Sequence, residues 1–173
     1  PVRSVSRVRW DRRCGLEKWC SGSGVETWKT VEIPCCDGGG YGEDLPLVAK
    51  HAGLREKEVV ALHSSQPYRI YMRGFLPGFP YLGGLNERLH TPRLSTPRTK
   101  IPAGSVGIGG KQTGIYPMES PGGWQLIGRT PLTLFAPGEP LPYAAGDRIR
   151  FGPIDEDEFA RIRKGEEAKR HDA

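Results

Sequence analysis

The density of glycine and proline constrains this chain more than any other feature. It holds 24 glycines and 16 prolines among 173 residues, roughly twice the usage of an average globular chain. Glycine admits turns at positive φ and proline removes a backbone donor, so the apolar runs between them stay short. SVGIGG at 105–110, WQLIGRT at 124–130, LTLF at 132–135 and RIRFGPI at 148–154 are separated by Gly, Pro and Ser clusters. That spacing predicts many short strands in a closed or sandwiched β structure. No Gly-X-Y period exists, which excludes collagen, and the strand-like runs argue against simple disorder.

The pattern differs upstream. Residues 1–30 are polar and interrupted by Gly15, Gly22 and Gly24, and predict an irregular segment. Val31-Glu32-Ile33-Pro34 begins a strand, and the turn-rich CDGGGYGED follows it. Leu45, Leu47 and Val48 suit a short helix with Asp44 as N-cap, Pro46 in the first turn and Gly53 at the end. Glu56 to Ser64 predicts a second, amphipathic helix around Val59, Val60 and Leu62. After Pro67, Tyr68, Ile70 and Met72 alternate with Arg69, Tyr71 and Arg73, the period of a half-buried strand. The expected organisation is one domain over 31–154, with a charged helical or frayed tail over 155–173.

Several function classes fall away on composition. The 25 Lys and Arg exceed the 20 Asp and Glu by a net charge of +5, but the charge is scattered. Its densest stretch, Arg3 to Arg13, reads as an arm and not as a nucleic-acid-binding face. No apolar run approaches the ~20 residues of a membrane span and no secretory leader pattern opens the chain, so the expectation is a cytoplasmic protein without membrane partners. Cys14, Cys20, Cys35 and Cys36 lack metal-ligand spacing, and no metal site is expected. Gly-x-Ser-x-Gly is absent, which disfavours a hydrolase triad.

Three blocks carry the candidate chemistry. In RGFLPGFPYLGGL at 73–85, Pro77 and Pro80 stiffen a loop that can present Phe75, Phe79 and Tyr81 as a wall for a small-molecule substrate, or simply pack over a barrel end. In IPAGSVGIGGKQTGIYP at 101–117, permissive backbone surrounds Gln112, Thr113 and Tyr116. That block lacks phosphate-loop spacing, so ATP binding by this chain alone is not indicated. In SPGGWQLIGRT at 120–130, Trp124 and Leu126 share one strand face, and Arg129 at the strand end suits a carboxylate grip. The catalytic candidates are thus Arg129, Gln112 and His63, the last as an acid–base group.

GFLPGFPYL, PRTKIPAGSVGI, QTGIYP and SPGGWQLIGRTPL, in that order, resemble the blocks of the 5-oxoprolinase B-subunit family. That family takes in allophanate hydrolase subunit 1, Kip-type inhibitors of a histidine kinase and part of the urea carboxylase carboxyltransferase domain. The resemblance implies a mainly β, cyclophilin-like barrel with a few short helices, and an N-terminal α+β subdomain that is largely missing here. It also implies ATP-dependent opening of 5-oxo-L-proline to L-glutamate, together with partners that resemble the C and A subunits of 5-oxoprolinase. Allophanate or urea carboxylation chemistry and histidine-kinase inhibition are the alternatives it leaves. Lys111 departs from the family pattern at a position where glycine is expected, and predicts strain on the order of 1 kcal/mol if that residue takes positive φ.

Overall fold

The computed structural model describes residues 28–171. The irregular segment predicted at the N-terminus, with Cys14, Cys20 and the arginine-rich stretch, lies outside the described residues as far as residue 27. In chain order the elements are β1 (Thr30–Asp37), α1 (Leu45–Ala52), α2 (Glu56–Ser64), β2 (Tyr68–Arg73), β3 (Pro80–Gly83) and a single 3-10 turn (Glu87–Leu89). They continue with β4 (Arg98–Ile101), β5 (Ser105–Gly109), β6 (Gln112–Ile115), β7 (Ser120–Gly122), β8 (Gln125–Arg129), β9 (Arg148–Ile154) and α3 (Glu156–His171).

Seven strands close a barrel in the order β1-β8-β5-β6-β3-β2-β9, and β4 pairs with β7 in a separate two-stranded sheet. The barrel closes through a parallel ladder from Thr30↔Arg148 to Cys36↔Ile154. A mainly β closed barrel with few helices is the expected fold class. Among the described residues, no helix is long and apolar enough to cross a membrane.

Hydrophobic burial divides into two clusters separated by the barrel wall. Inside lie Ile33, Tyr68, Ile70, Leu82, Val106, Ile108, Ile115, Ile127, Ile149 and Phe151, with α1 and α2 adding Leu45, Val48 and Val59. Phe79, Ile101, Tyr116, Trp124 and Leu126 form the second cluster. Strand alternation explains the division: Val106, Ile108, Thr113 and Ile115 point inward, while Gly107, Gly109 and Gly114 occupy the intervening outward positions. Those glycines make the outer wall flat enough to carry rings. A methyl at Gly109 would run into the Trp124 indole, and one at Gly114 would lie 3.0 Å from both Phe79 and Trp124.

Both short helices form where predicted, and Gly53 ends the first at φ 66. Asp44 does not cap it with its side chain. Its carboxylate instead accepts the Leu126 amide at 2.6 Å, while its own amide donates to the Leu126 carbonyl at 2.9 Å. Asp44 therefore clasps β8 as an extra strand residue does, and the local sequence could not show a partner 82 residues away.

Three other expectations change. LTLF at 132–135 is irregular, yet Leu134 is buried and Leu132 packs on the core, so its apolar character reports burial without pairing. A register shift between Ile70 and Met72 ends the β2 alternation and leaves Met72 55% exposed. Positive φ falls on Gly110 (φ 65), and among described non-glycine residues only Phe75 has it, so the strain predicted for Lys111 does not arise. The charged tail is helical as α3, whose Phe159 ring packs against Tyr41 at 4.4 Å.

Candidate functional site

The loop between β2 and β3 folds by its own amides: Gly74 N–H donates to Phe79 O, Leu76 N–H to Gly74 O, and Phe79 N–H to Leu76 O. Gly78 at φ 80 completes the reversal, and the Tyr143 hydroxyl donates to its carbonyl at 2.9 Å. The loop delivers Phe79 into the outer cluster, where its ring centroid lies 5.0 Å from Tyr81, 5.2 Å from Tyr116 and 5.4 Å from Trp124. The Tyr116 and Trp124 contacts are edge-on, the favoured arrangement for aromatic quadrupoles. Phe75 meets Phe79 edge-on at 6.0 Å and stands 64% exposed at the loop tip with φ 68.

Four residues named from sequence, Phe75, Phe79, Tyr81 and Tyr116, therefore meet in one cluster. Their exposure is unequal. Phe79 and Tyr116 are buried, so the surface they support is presented by Phe75 and Tyr81.

Two arginines that sequence reasoning passed over flank this cluster. Arg93 is exposed and stacks 5.7 Å above the Trp124 ring. Arg98 Nη2 donates to Asp44 at 2.8 Å and lies 3.8 Å from Glu43, while its Nη1 is buried without a protein partner. Burial pushes the Tyr116 hydroxyl up, and the Trp124 backbone and the positive fields of Arg93 and Arg98 pull against that. A signal was present in TPRLSTPR at 91–98, where two arginines each follow a proline in a stretch too short for a core element. Their placement over Trp124 required the fold.

The remaining candidates lie elsewhere. His63 is sealed in the barrel core between Tyr68 and Phe151, with ring centroids at 5.4 and 4.6 Å. Burial pushes its pKa down to about 3. Its Nε2 lies 2.9 Å from the Thr113 hydroxyl, which itself donates to the Gly107 carbonyl, so His63 Nε2–H is the donor in that pair. Both residues thus satisfy each other inside the wall, and the position gives His63 no reach to a substrate.

Gln112 pairs with Gly109 at one end of the β5–β6 hairpin, whereas Arg129 pairs with Ser105 at the other end of β5. Four residues of strand set them roughly 13 Å apart. Arg129 stacks over Tyr41 at 5.6 Å, away from the aromatic cluster, with its Nε buried and unpartnered.

A further titratable group emerged beside β1. Asp37 is half-buried at the strand end, where desolvation pushes its carboxyl up to about 6 and the Cys35 thiol, at 3.3 Å, partly offsets it. Burial also raises the Cys35 and Cys36 thiols, and both cysteines are free, so neither is poised as a thiolate nucleophile.

The glycine-rich block at 104–114 was the remaining place for a phosphate. Its residues Val106 to Gly109 are laddered to Gln112 to Ile115, which commits its backbone to the hairpin. This region does not fit ATP.

Residues 14–144 match the family described as carboxyltransferase domain, subdomain C and D. The 5-oxoprolinase B subunit of Escherichia coli O157:H7 is 59% identical over 128 residues, which takes in 73% of this chain and 59% of that protein. A solved structure of a conserved uncharacterized protein from Pyrococcus horikoshii superposes with a TM-score of 0.74 at 56% identity, over 76% of this chain and 62% of that one. The solved structure of TTHA0988 gives a TM-score of 0.69 at 43% identity, over 73% of this chain but only 26% of that chain. This chain spans between 55% and 59% of the length of the curated 5-oxoprolinase B subunits it matches.

Proposed function

The chain belongs to the family of the carboxyltransferase domain, subdomain C and D, and from that premise we propose that it is a subunit of ATP-dependent 5-oxoprolinase. In this reading it works in the cytoplasm with companions resembling the C and A subunits of that enzyme, and the assembly converts 5-oxo-L-proline to L-glutamate. Identity above one half to 5-oxoprolinase B subunits, sustained over most of the chain, is the observation that carries it.

The geometry fits a binding role. 5-Oxoproline is a small lactam with an apolar ring edge and one carboxylate. The exposed faces of Phe75 and Tyr81 suit the ring, and Arg93 beside Tyr116 suits the carboxylate, taking the part that sequence assigned to Arg129. Arg93 has no ion-pair partner among the described residues, so its guanidinium is available for a charge-assisted pair. His63 is enclosed in the barrel and Asp44 is held by Arg98 and Leu126, so neither is placed to take or give a proton at the lactam. In this reading the companions supply the residues that open the ring and those that hold ATP.

Mixing the full chain with its companions and following glutamate release tests this directly. Arg93→Ala is expected to raise KM for 5-oxoproline at least tenfold with a smaller change in kcat, and Arg129→Ala to change KM little. The opposite ranking would return the carboxylate grip to Arg129.

A further inference from the structure

The surface next to the aromatic cluster is apolar where a solvent-facing barrel wall is ordinarily polar. Tyr71, Met72 and Phe75 are 66%, 55% and 64% exposed, and Trp28 is 44% exposed. These are all but one of the exposed large hydrophobic side chains among the described residues. Trp28 and Tyr71 flank Arg69, whose guanidinium lies 5.8 Å from the first ring and 5.9 Å from the second, and Tyr71 and Met72 line one groove. Tyr71 rests on Gly83, where a methyl would collide with its ring. Behind them an open groove of about 480 Å³ is lined by Tyr71, Met72, Arg73, Leu76, Pro77 and Leu141.

Two features say what covers this face. Arg69, Arg73 and Arg148 surround it, all exposed, with Arg148 laterally paired to Arg69, and none has a carboxylate within ion-pair distance among the described residues. Carboxylates on a partner would complement a rim of this charge. Phe75 holds positive φ, which is rare for a bulky side chain, with its ring 64% exposed beside the groove residues Gly74 and Leu76.

We propose that this groove, from Tyr71 and Met72 across Leu76 to Leu141, is the docking surface for the C-type companion, which seats an aliphatic or aromatic side chain in the groove and flanks it with Asp or Glu. The proposal rests on the subunit reading above. Its occupant is a protein because exposed aromatic rings, Met72 and arginines together are the residue types enriched at protein interfaces, and Leu76, Pro77 and Leu141 give the groove an aliphatic lining that suits a side chain. The matched fold in TTHA0988 occupies about a quarter of a longer chain, so the same barrel carries further protein in covalent linkage there.

The test titrates the purified C-type companion into the full chain by calorimetry. Tyr71→Ser with Met72→Ser, and separately Arg69→Glu with Arg73→Glu, are each expected to weaken binding at least ~30-fold, the scale of central interface residues. Lys50→Glu, on the exposed side of α1, serves as the control and leaves binding unchanged. Thermal melting of each variant verifies that it folds. If the wild-type chain binds and both double variants bind equally well, the docking surface is wrong and the subunit reading survives. If the wild-type chain binds no companion and the mixture releases no glutamate, both fall. Tighter binding of a fluorescent dT20 oligonucleotide than of the companion, lost in the arginine variant, would also overturn the proposal by making this a nucleic-acid surface.

Discussion

Replacing Asp37 by Asn should stabilise the protein near neutral pH and expose a pH dependence that the wild type conceals. The folded chain holds the Asp37 proton to about pH 6, whereas the unfolded chain releases it near ~3.9. Between those values the native state binds more protons, so stability falls as pH rises. Two pKa units at ~1.4 kcal/mol each put the full cost of ionised Asp37 at about 3 kcal/mol above pH 6. His63 acts in the opposite sense. Its folded pKa is about 3, against ~6.5 when unfolded, so the unfolded state gains the proton first and stability falls as pH drops below ~6.5.

From pH 4 to 6 the two slopes cancel in the wild type. Asn at position 37 keeps the carbonyl oxygen that accepts the Cys35 thiol, so the substitution removes the ionisation and little else. Urea unfolding followed by tryptophan fluorescence at several pH values reads the result. The Asn variant should exceed the wild type by about 2–3 kcal/mol at pH 7, with the difference vanishing towards pH 4. A difference independent of pH, or a destabilised variant at pH 7, would refute the reasoning.

Gly109→Ala forces a methyl against the Trp124 ring and should cost about 1–3 kcal/mol by overpacking, read as a lower urea midpoint. Asp44→Ala strips the Leu126 amide and Arg98 of their acceptor and should cost about 2–4 kcal/mol by the same measurement, whereas Asp44→Asn should recover part of that. Lys111→Gly should leave stability within about 0.5–1 kcal/mol of wild type, because Gly110 already supplies the positive φ of that turn.

Local chemistry made much of the fold legible. Pro46 and Gly53 marked one helix, apolar spacing marked the next, and the Gly/Pro punctuation correctly implied a turn-rich β structure. Long-range pairing was not legible. The parallel match of Thr30 with Arg148 that closes the barrel leaves no local trace, nor does the Asp44 clasp on Leu126.

The site was legible in half. The stiffened loop showed that Phe75, Phe79 and Tyr81 belong together, and the structure adds Tyr116. Which strand face each glycine occupies decides where Trp124 lies, and Trp124 in turn places Arg93. Arg129 looked suited to a carboxylate because it ends a strand, but β8 turns that end towards Tyr41. His63 read as an acid–base candidate by residue type, and its enclosure between Tyr68 and Phe151 is a property of the barrel that α2 covers.

The most direct test of the subunit reading is ATP-dependent release of L-glutamate from 5-oxo-L-proline by the full chain mixed with its C-type and A-type companions. The account predicts release from the complete mixture, and none when this chain or the companions are omitted. Undiminished release without this chain would contradict it.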